Sequence, residues 1–232
     1  MEFVPASLEA AQALEIRDRL RETYPSVELH PALPPQPPLG LSGSFFGLSV
    51  GSHPNRWWFI SEDDSQLVQL QHDRLLLNWR KTPEKAAYPR HHNLMPTFFD
   101  VLAVVDDVLG GLTPTSLETD YYNLDTGLTD GTGLADLLTG ADSPPERLLG
   151  DNTFRLEFSE GGRLDGRTTQ WTLSAQREAD GPARFHIGAR ADAAGLPTAD
   201  VGALTGIFGS LHELAIAVFE RHTRGAARER WM

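Results

Sequence analysis

Between residues 44 and 80 the apolar positions recur with the period of strands. The runs "SFFGLSV", "RWWFIS", "QLVQLQ" and "LLLNWR" are short, aromatic or branched, and "GSHPN", "EDDS" and "HDR" between them are rich in turn formers. This predicts an antiparallel meander, with 66–80 a hairpin turning at His72 to Arg74. In its last strand Leu75, Leu77 and Trp79 share one face, and Leu76, Asn78 and Arg80 the other. Elsewhere the period is helical. Ala13, Ile16, Leu20 and Tyr24 predict a helix over 8–24, capped by Ser7 and stopped by Pro25. Leu94, Phe98, Val101, Leu102, Val105 and Leu109 predict a second over 94–109, ended by Gly110-Gly111. Val201, Leu204, Phe208, Leu211, Ala215 and Val218 form the apolar stripe of a third over 201–222.

Residues 25–40 hold six prolines, which excludes regular helix and a central strand and predicts an extended connection across the surface. After the second helix the order partly repeats: a strand near "TSLETDYYNL", a short helical piece "GLADLLTG", strands near "NTFRLEF", "RTTQWTLSAQ" and "RFHIGAR", then the long helix. The expected fold is α+β, a single domain over 1–232 with mostly antiparallel sheet and the three main helices on one side. Two similar halves, 1–111 and 112–232, would suit this order. The TATA-binding protein is the nearest analogy for such a duplication, and analogy of fold transfers no function.

Composition narrows the partners. The chain of 232 residues is 40% hydrophobic and 22% charged, as an ordinary globular protein is. It contains no cysteine, so disulfides and thiolate metal sites are excluded. A formal charge of −12 repels phosphate backbones; generic nucleic-acid binding is not expected, and cationic partners are favoured. No window offers the roughly 18 uncharged apolar residues of a membrane span, and "MEFVPASLEAAQ" has no basic n-region. A cytoplasmic location without membrane contact is expected.

Four stretches taken together, "WWFISEDDSQLVQLQHDRLLLNWRK", "YPR" ahead of an "FF"-containing helix, "LETDYYNLD" and "LHELAIAVFERHTRGAARERW", resemble a sporadically distributed family of prokaryotic proteins roughly 250 residues long. The similarity spans nearly the whole chain. The family implies no known activity, substrate or catalytic residue. Its patchy occurrence suggests mobile-element cargo, such as a toxin-antitoxin, immunity or phage-defence accessory. Members open with a strand before the first helix, whereas here only "MEFVP" precedes it, so that strand is shortened or the start lies late.

Few motifs carry chemistry. "HELAIAVFERH" from His212 fails as a zinc-protease motif because Ile216 stands where the second histidine is needed. His212 is instead expected to be largely buried beside Phe208 and Ala215, bonded to a backbone carbonyl, a hydroxyl or a carboxylate. His91-His92 cannot easily grip one metal, since neighbours diverge on strand and helix alike. Glu62-Asp63-Asp64 falls in a turn, and Asp106-Asp107 on a polar helix face where solvation is the default. Glu118 and Asp120 share one strand face with Tyr122 and are the best hydrolase-like cluster. No G-x-S-x-G occurs, and "GLTDGTG" matches no phosphate loop. No metal and no cofactor are expected.

The candidate contact surface is the basic island Arg80, Lys81 and Lys85 with Tyr88 and Arg90, in the only stretch holding lysine. The functional expectation is a non-enzymatic module that binds another protein, one encoded by a neighbouring gene. The alternatives are a small-molecule binder with a pocket lined by Trp57, Trp58 and Trp171, and a hydrolase or nuclease using Glu118, Asp120 and a histidine.

Overall fold

The computed structural model describes residues 1–36, 39, 55–82, 88–125, 138–139, 154–177 and 181–225. The fold is α+β, with three helices and an antiparallel sheet of nine strands among the described residues. In chain order the elements are β1 (Glu2–Phe3), α1 (Ala10–Leu20), β2 (Ser26–Pro31), β3 (Asn55–Ile60), β4 (Gln66–Gln71), β5 (Arg74–Trp79), α2 (His91–Leu109), β6 (Pro114–Asp125), β7 (Phe154–Leu164), β8 (Arg167–Arg177), β9 (Ala183–Asp192) and α3 (Val201–His222). Strand order is β2-β3-β4-β5-β1-β6-β9-β8-β7. The chain forms two compact units, Met1–Leu117 with Asp192–Ile207, and Glu118–Ala191 with Phe208–Met232. The expected strand over 44–50, Lys85 and all but Leu138 and Thr139 of the expected helical piece lie outside the described residues.

In the first unit the meander takes the expected register. Leu70 pairs with Leu75 and Gln71 with Arg74 across a turn at His72-Asp73. Pairing carries one face through Phe59, Val68 and Leu77. Phe59, Val68, Leu70 and Leu75 are fully buried, whereas Trp79 is only part-buried and takes the ring of Tyr88 edge-on at 5.4 Å. The stripe of α1, Ala13, Ile16 and Leu20, is buried together with Tyr24. Burial and the nearby Asp100 push the Tyr24 phenol up to about 12, so its hydroxyl stays a donor, to Gln66 Oε1 at 2.9 Å. The N-cap is Glu9 rather than Ser7: the Glu9 N–H donates to Gln12 Oε1, and Ser7 only donates to the Glu9 carboxylate.

Three expectations are revised here. The proline-rich stretch contains a strand, β2, tolerated because it lies at the sheet edge. Past Pro31 the chain lies over the sheet, with Leu33 N donating to Gln71 Oε1. Helix α2 begins at His91, three residues early, and runs through Pro96, which leaves the His92 carbonyl without its i+4 N–H donor. It ends as expected at Gly110 (φ 78°), where Gly111 N–H returns to Asp106 O. Asp106 is no solvated carboxylate: one oxygen accepts from Leu112 N–H and the Thr198 hydroxyl, and Asp107 pairs with Arg19. The first strand of the chain is two residues long, yet it sits between β5 and β6 in mid-sheet.

In the second unit β7 and β8 form a long hairpin, closed by Asp165 (φ 50°) and Gly166 (φ 80°). Both central residues of such a type I′ turn need positive φ, which Asp-Gly supplies. The core is the apolar side of α3, with Phe208, Leu211, Ala215, Val218 and Phe219 buried. By length and composition α3 would pass for a membrane span; that same stripe is what the core buries.

Candidate functional site

Residues paired across an antiparallel ladder project to the same face. In the second unit Trp171 pairs with Ala189, Leu173 with Ile187 and Ala175 with Phe185, which makes one face apolar. The alternate pairs are Thr172 with Gly188, Ser174 with His186 and Gln176 with Arg184, and Ser159 and Glu157 continue them on β7. The other face is therefore polar across three strands. On β6 the alternation that puts Glu118, Asp120, Tyr122 and Leu124 on one side joins them to this face, because Asp120 reaches His186.

At its centre Asp120 Oδ1 lies 2.6 Å from His186 Nε2, with side chains 25% and 23% exposed. The Tyr122 ring stacks on the imidazole, centroids 4.4 Å apart and planes within 14°. Gly188, two residues on from His186, leaves the room: a Cβ there would meet Asp120 Oδ1 at 2.5 Å. With the carboxylate accepting from Nε2–H, a neutral imidazole keeps Nδ1 as an acceptor.

No protein-family model and no curated protein matches the chain.

The structure brings together Asp120 and Tyr122 of the expected acidic cluster, and adds His186 and Gly188, which sequence reasoning passed over. Their only signal was "HIG" in a predicted strand, where His186 and Gly188 fall in step on one face. The island around Arg80 is different. Arg80 is spent on the β3–β4 turn, donating to Asp64 O and pairing with the Asp64 carboxylate. Lys81 is exposed, Tyr88 packs on Trp79, and Arg90 is the exposed N-cap of α2 at φ 74°. The Glu62-Asp63-Asp64 turn is structural, as expected: Asp63 Oδ1 accepts from both Ser61 and Ser65. His91 opens α2, and among the described residues no three His, Asp or Glu side chains gather to hold a metal.

His212 finds its hydroxyl partner, Tyr121 Oη at 2.5 Å from Nδ1. It is half-buried rather than largely buried, because it stands at the margin of the stripe that Phe208 and Ala215 occupy. The crevice below the site, lined by Tyr121, Leu138, Phe185 and Thr223 among others, has a volume of about 10 Å³, room for about one water.

His222, at the end of α3, packs at 5.1 Å from Trp171 and 5.6 Å from Phe158, with Nε2 buried and, among the described residues, without a partner. Desolvation, then Arg221, hold its pKa below the ordinary 6.5, against the pull of Glu160. The folded state thus binds this proton less readily than the unfolded state. The stability involved is complete above pH 6.5 and is lost as pH falls from there through the lowered pKa. His222→Phe is expected to flatten that acid limb, seen as urea midpoints that vary less with pH than those of the wild type.

Proposed function

We propose that the chain is a cytoplasmic, non-enzymatic module that binds a partner protein through the polar sheet face around Asp120 and His186. The observation that carries the proposal is that Tyr122 and Leu124 stand 68% and 66% exposed beside that pair. Large side chains held out on strands are anchors of the kind that dominate binding energies, with tyrosine prominent among them, and polar neighbours supply a rim. The formal charge of −12 favours a partner with a basic surface. Resemblance to a patchily distributed prokaryotic family supports a partner encoded by a neighbouring gene, in a toxin-antitoxin, immunity or phage-defence setting.

Co-expression with the neighbouring gene product, followed by calorimetric titration, tests this. Tyr122→Ala with Leu124→Asp is expected to weaken binding at least about tenfold with little change in thermal midpoint, since both residues are exposed. Undiminished binding by the double variant would remove this face from consideration. A second reading, a hydrolase, is favoured by the Asp120–His186 contact alone, which orients an imidazole as a general base. It requires a hydrolytic activity that His186→Gln abolishes.

A further inference from the structure

On the first unit a row of polar residues crosses one face of the sheet, one from each of six strands. His30 pairs with Arg56, Gln71 with Arg74, Arg74 with Glu2, and Glu2 with Ser116. Trp57 faces Leu70, so the next step of that register sets Arg56 beside Gln71. Most of the row has hydrogen-bond partners within the unit. Glu2 accepts from Arg74 Nη2 and the Ser116 hydroxyl, both at 2.7 Å; Gln71 bonds Leu33 and Asp73; His30 bonds Glu28 at 2.8 Å.

Arg56 is the exception. Its guanidinium lies over Trp58 at 5.2 Å from the ring centroid, and among the described residues it has no carboxylate partner. The same indole is stacked on His30 at 3.7 Å, which holds it in place. Arg56 Nε, Trp58 Nε1 and Arg74 Nε are all buried, and among the described residues none has an acceptor. Arg74 is itself only 3% exposed. Buried donors without partners are uncommon, and three on one face of neighbouring strands leave room for an acceptor that the described residues do not supply. Arg56 and Arg74 are two strands apart, about 9.5 Å at the backbone, within the joint reach of two arginine side chains. Arg56 and Trp58 remain part-exposed, which leaves a way in.

We infer that Arg56, Trp58 and Arg74 form a binding site for the phosphate group of a small molecule. An arginine fork and an indole N–H can each take one edge of a tetrahedral oxyanion, and phosphate has oxygens enough for both and for Arg74 Nε. A planar carboxylate fills the fork but leaves the other donors unmet. The residues of this site belong to the first unit, those of the proposed docking face to the second. The overall negative charge matters for its detection: it discourages diffuse phosphate binding, so a saturable response reports a built site.

The test follows the five tryptophan indole N–H resonances during titration with inorganic phosphate, against sodium chloride and sodium acetate at equal ionic strength. Trp58→Phe keeps the ring stack and identifies the resonance by its loss. That resonance is expected to shift saturably with phosphate and not with chloride or acetate. Arg56→Gln is expected to weaken the apparent affinity at least about tenfold while the rest of the spectrum stays folded. Arg56→Lys, which keeps the charge and loses the fork, serves if the glutamine variant fails to fold, and is also expected to bind less tightly. A resonance that does not move, moves equally in all three salts, or moves unchanged in the Arg56 variants would overturn the inference and leave an adventitious ion only. Saturation by acetate alone would overturn the phosphate assignment.

Discussion

Glu2→Ala is expected to cost about 3–5 kcal/mol of folding stability, the largest effect of any single change at a polar position in the first unit. The reason is asymmetry. Arg74 is 3% exposed and its Nη2 donates to Glu2 at 2.7 Å; without the carboxylate a guanidinium is left in the core with a backbone oxygen of Pro34 at 3.4 Å as its remaining acceptor. Ser116 loses the Glu2 carboxylate as an acceptor in the same step. Arginine cannot escape by losing its proton, as a buried lysine can. Removing both charges is a different experiment, because the double variant Glu2→Ala with Arg74→Leu leaves no unpaired ion. It is expected to be markedly more stable than Glu2→Ala alone. Urea unfolding measures both, with the slope unchanged if only stability has moved. A loss below about 1 kcal/mol for Glu2→Ala would mean that Arg74 finds water or another acceptor.

Periodicity made the hairpin and the three helices legible, because Ala13, Leu75 or Val105 signals burial by its place in a local pattern. Prolines hid β2. They speak against a central strand, and nothing local tells that an edge was available. Gly161-Gly162 likewise concealed that β7 runs on to Leu164. The candidate site was half legible. Period two placed Asp120 and Tyr122 together, but His186 lies 66 residues away on another strand, and strand order is not written in a strand's own residues. Arg80 is a related case: it looked free in sequence because its partner, Asp64, is reached only across a hairpin.

Gly188→Ala tests whether the Asp120–His186 contact depends on that glycine. A methyl group at 188 would stand 2.5 Å from Asp120 Oδ1 and 3.0 Å from His186 Nε2, closer than such atoms tolerate. Alanine in a strand interior regains about 0.5–1 kcal/mol of backbone entropy over glycine. Overpacking costs about 1–3 kcal/mol, so the clash is expected to win and the variant to be less stable. The carboxylate can retreat only by giving up its 2.6 Å bond, which frees the imidazole beneath Tyr122. Gly161→Ala is the control, since a Cβ there meets nothing nearer than Thr169 O at 3.8 Å; it is expected to be close to neutral. Coupling separates the clash from a general strand effect. If Asp120 is what the new methyl strikes, Asp120→Ala with Gly188→Ala is expected to cost less than the two single losses added together, by at least about 0.5 kcal/mol. Strict additivity would show that the methyl is accommodated elsewhere. On the proposed function, Gly188→Ala is also expected to weaken partner binding, because the surface that carries Tyr122 loses the support of a fixed His186.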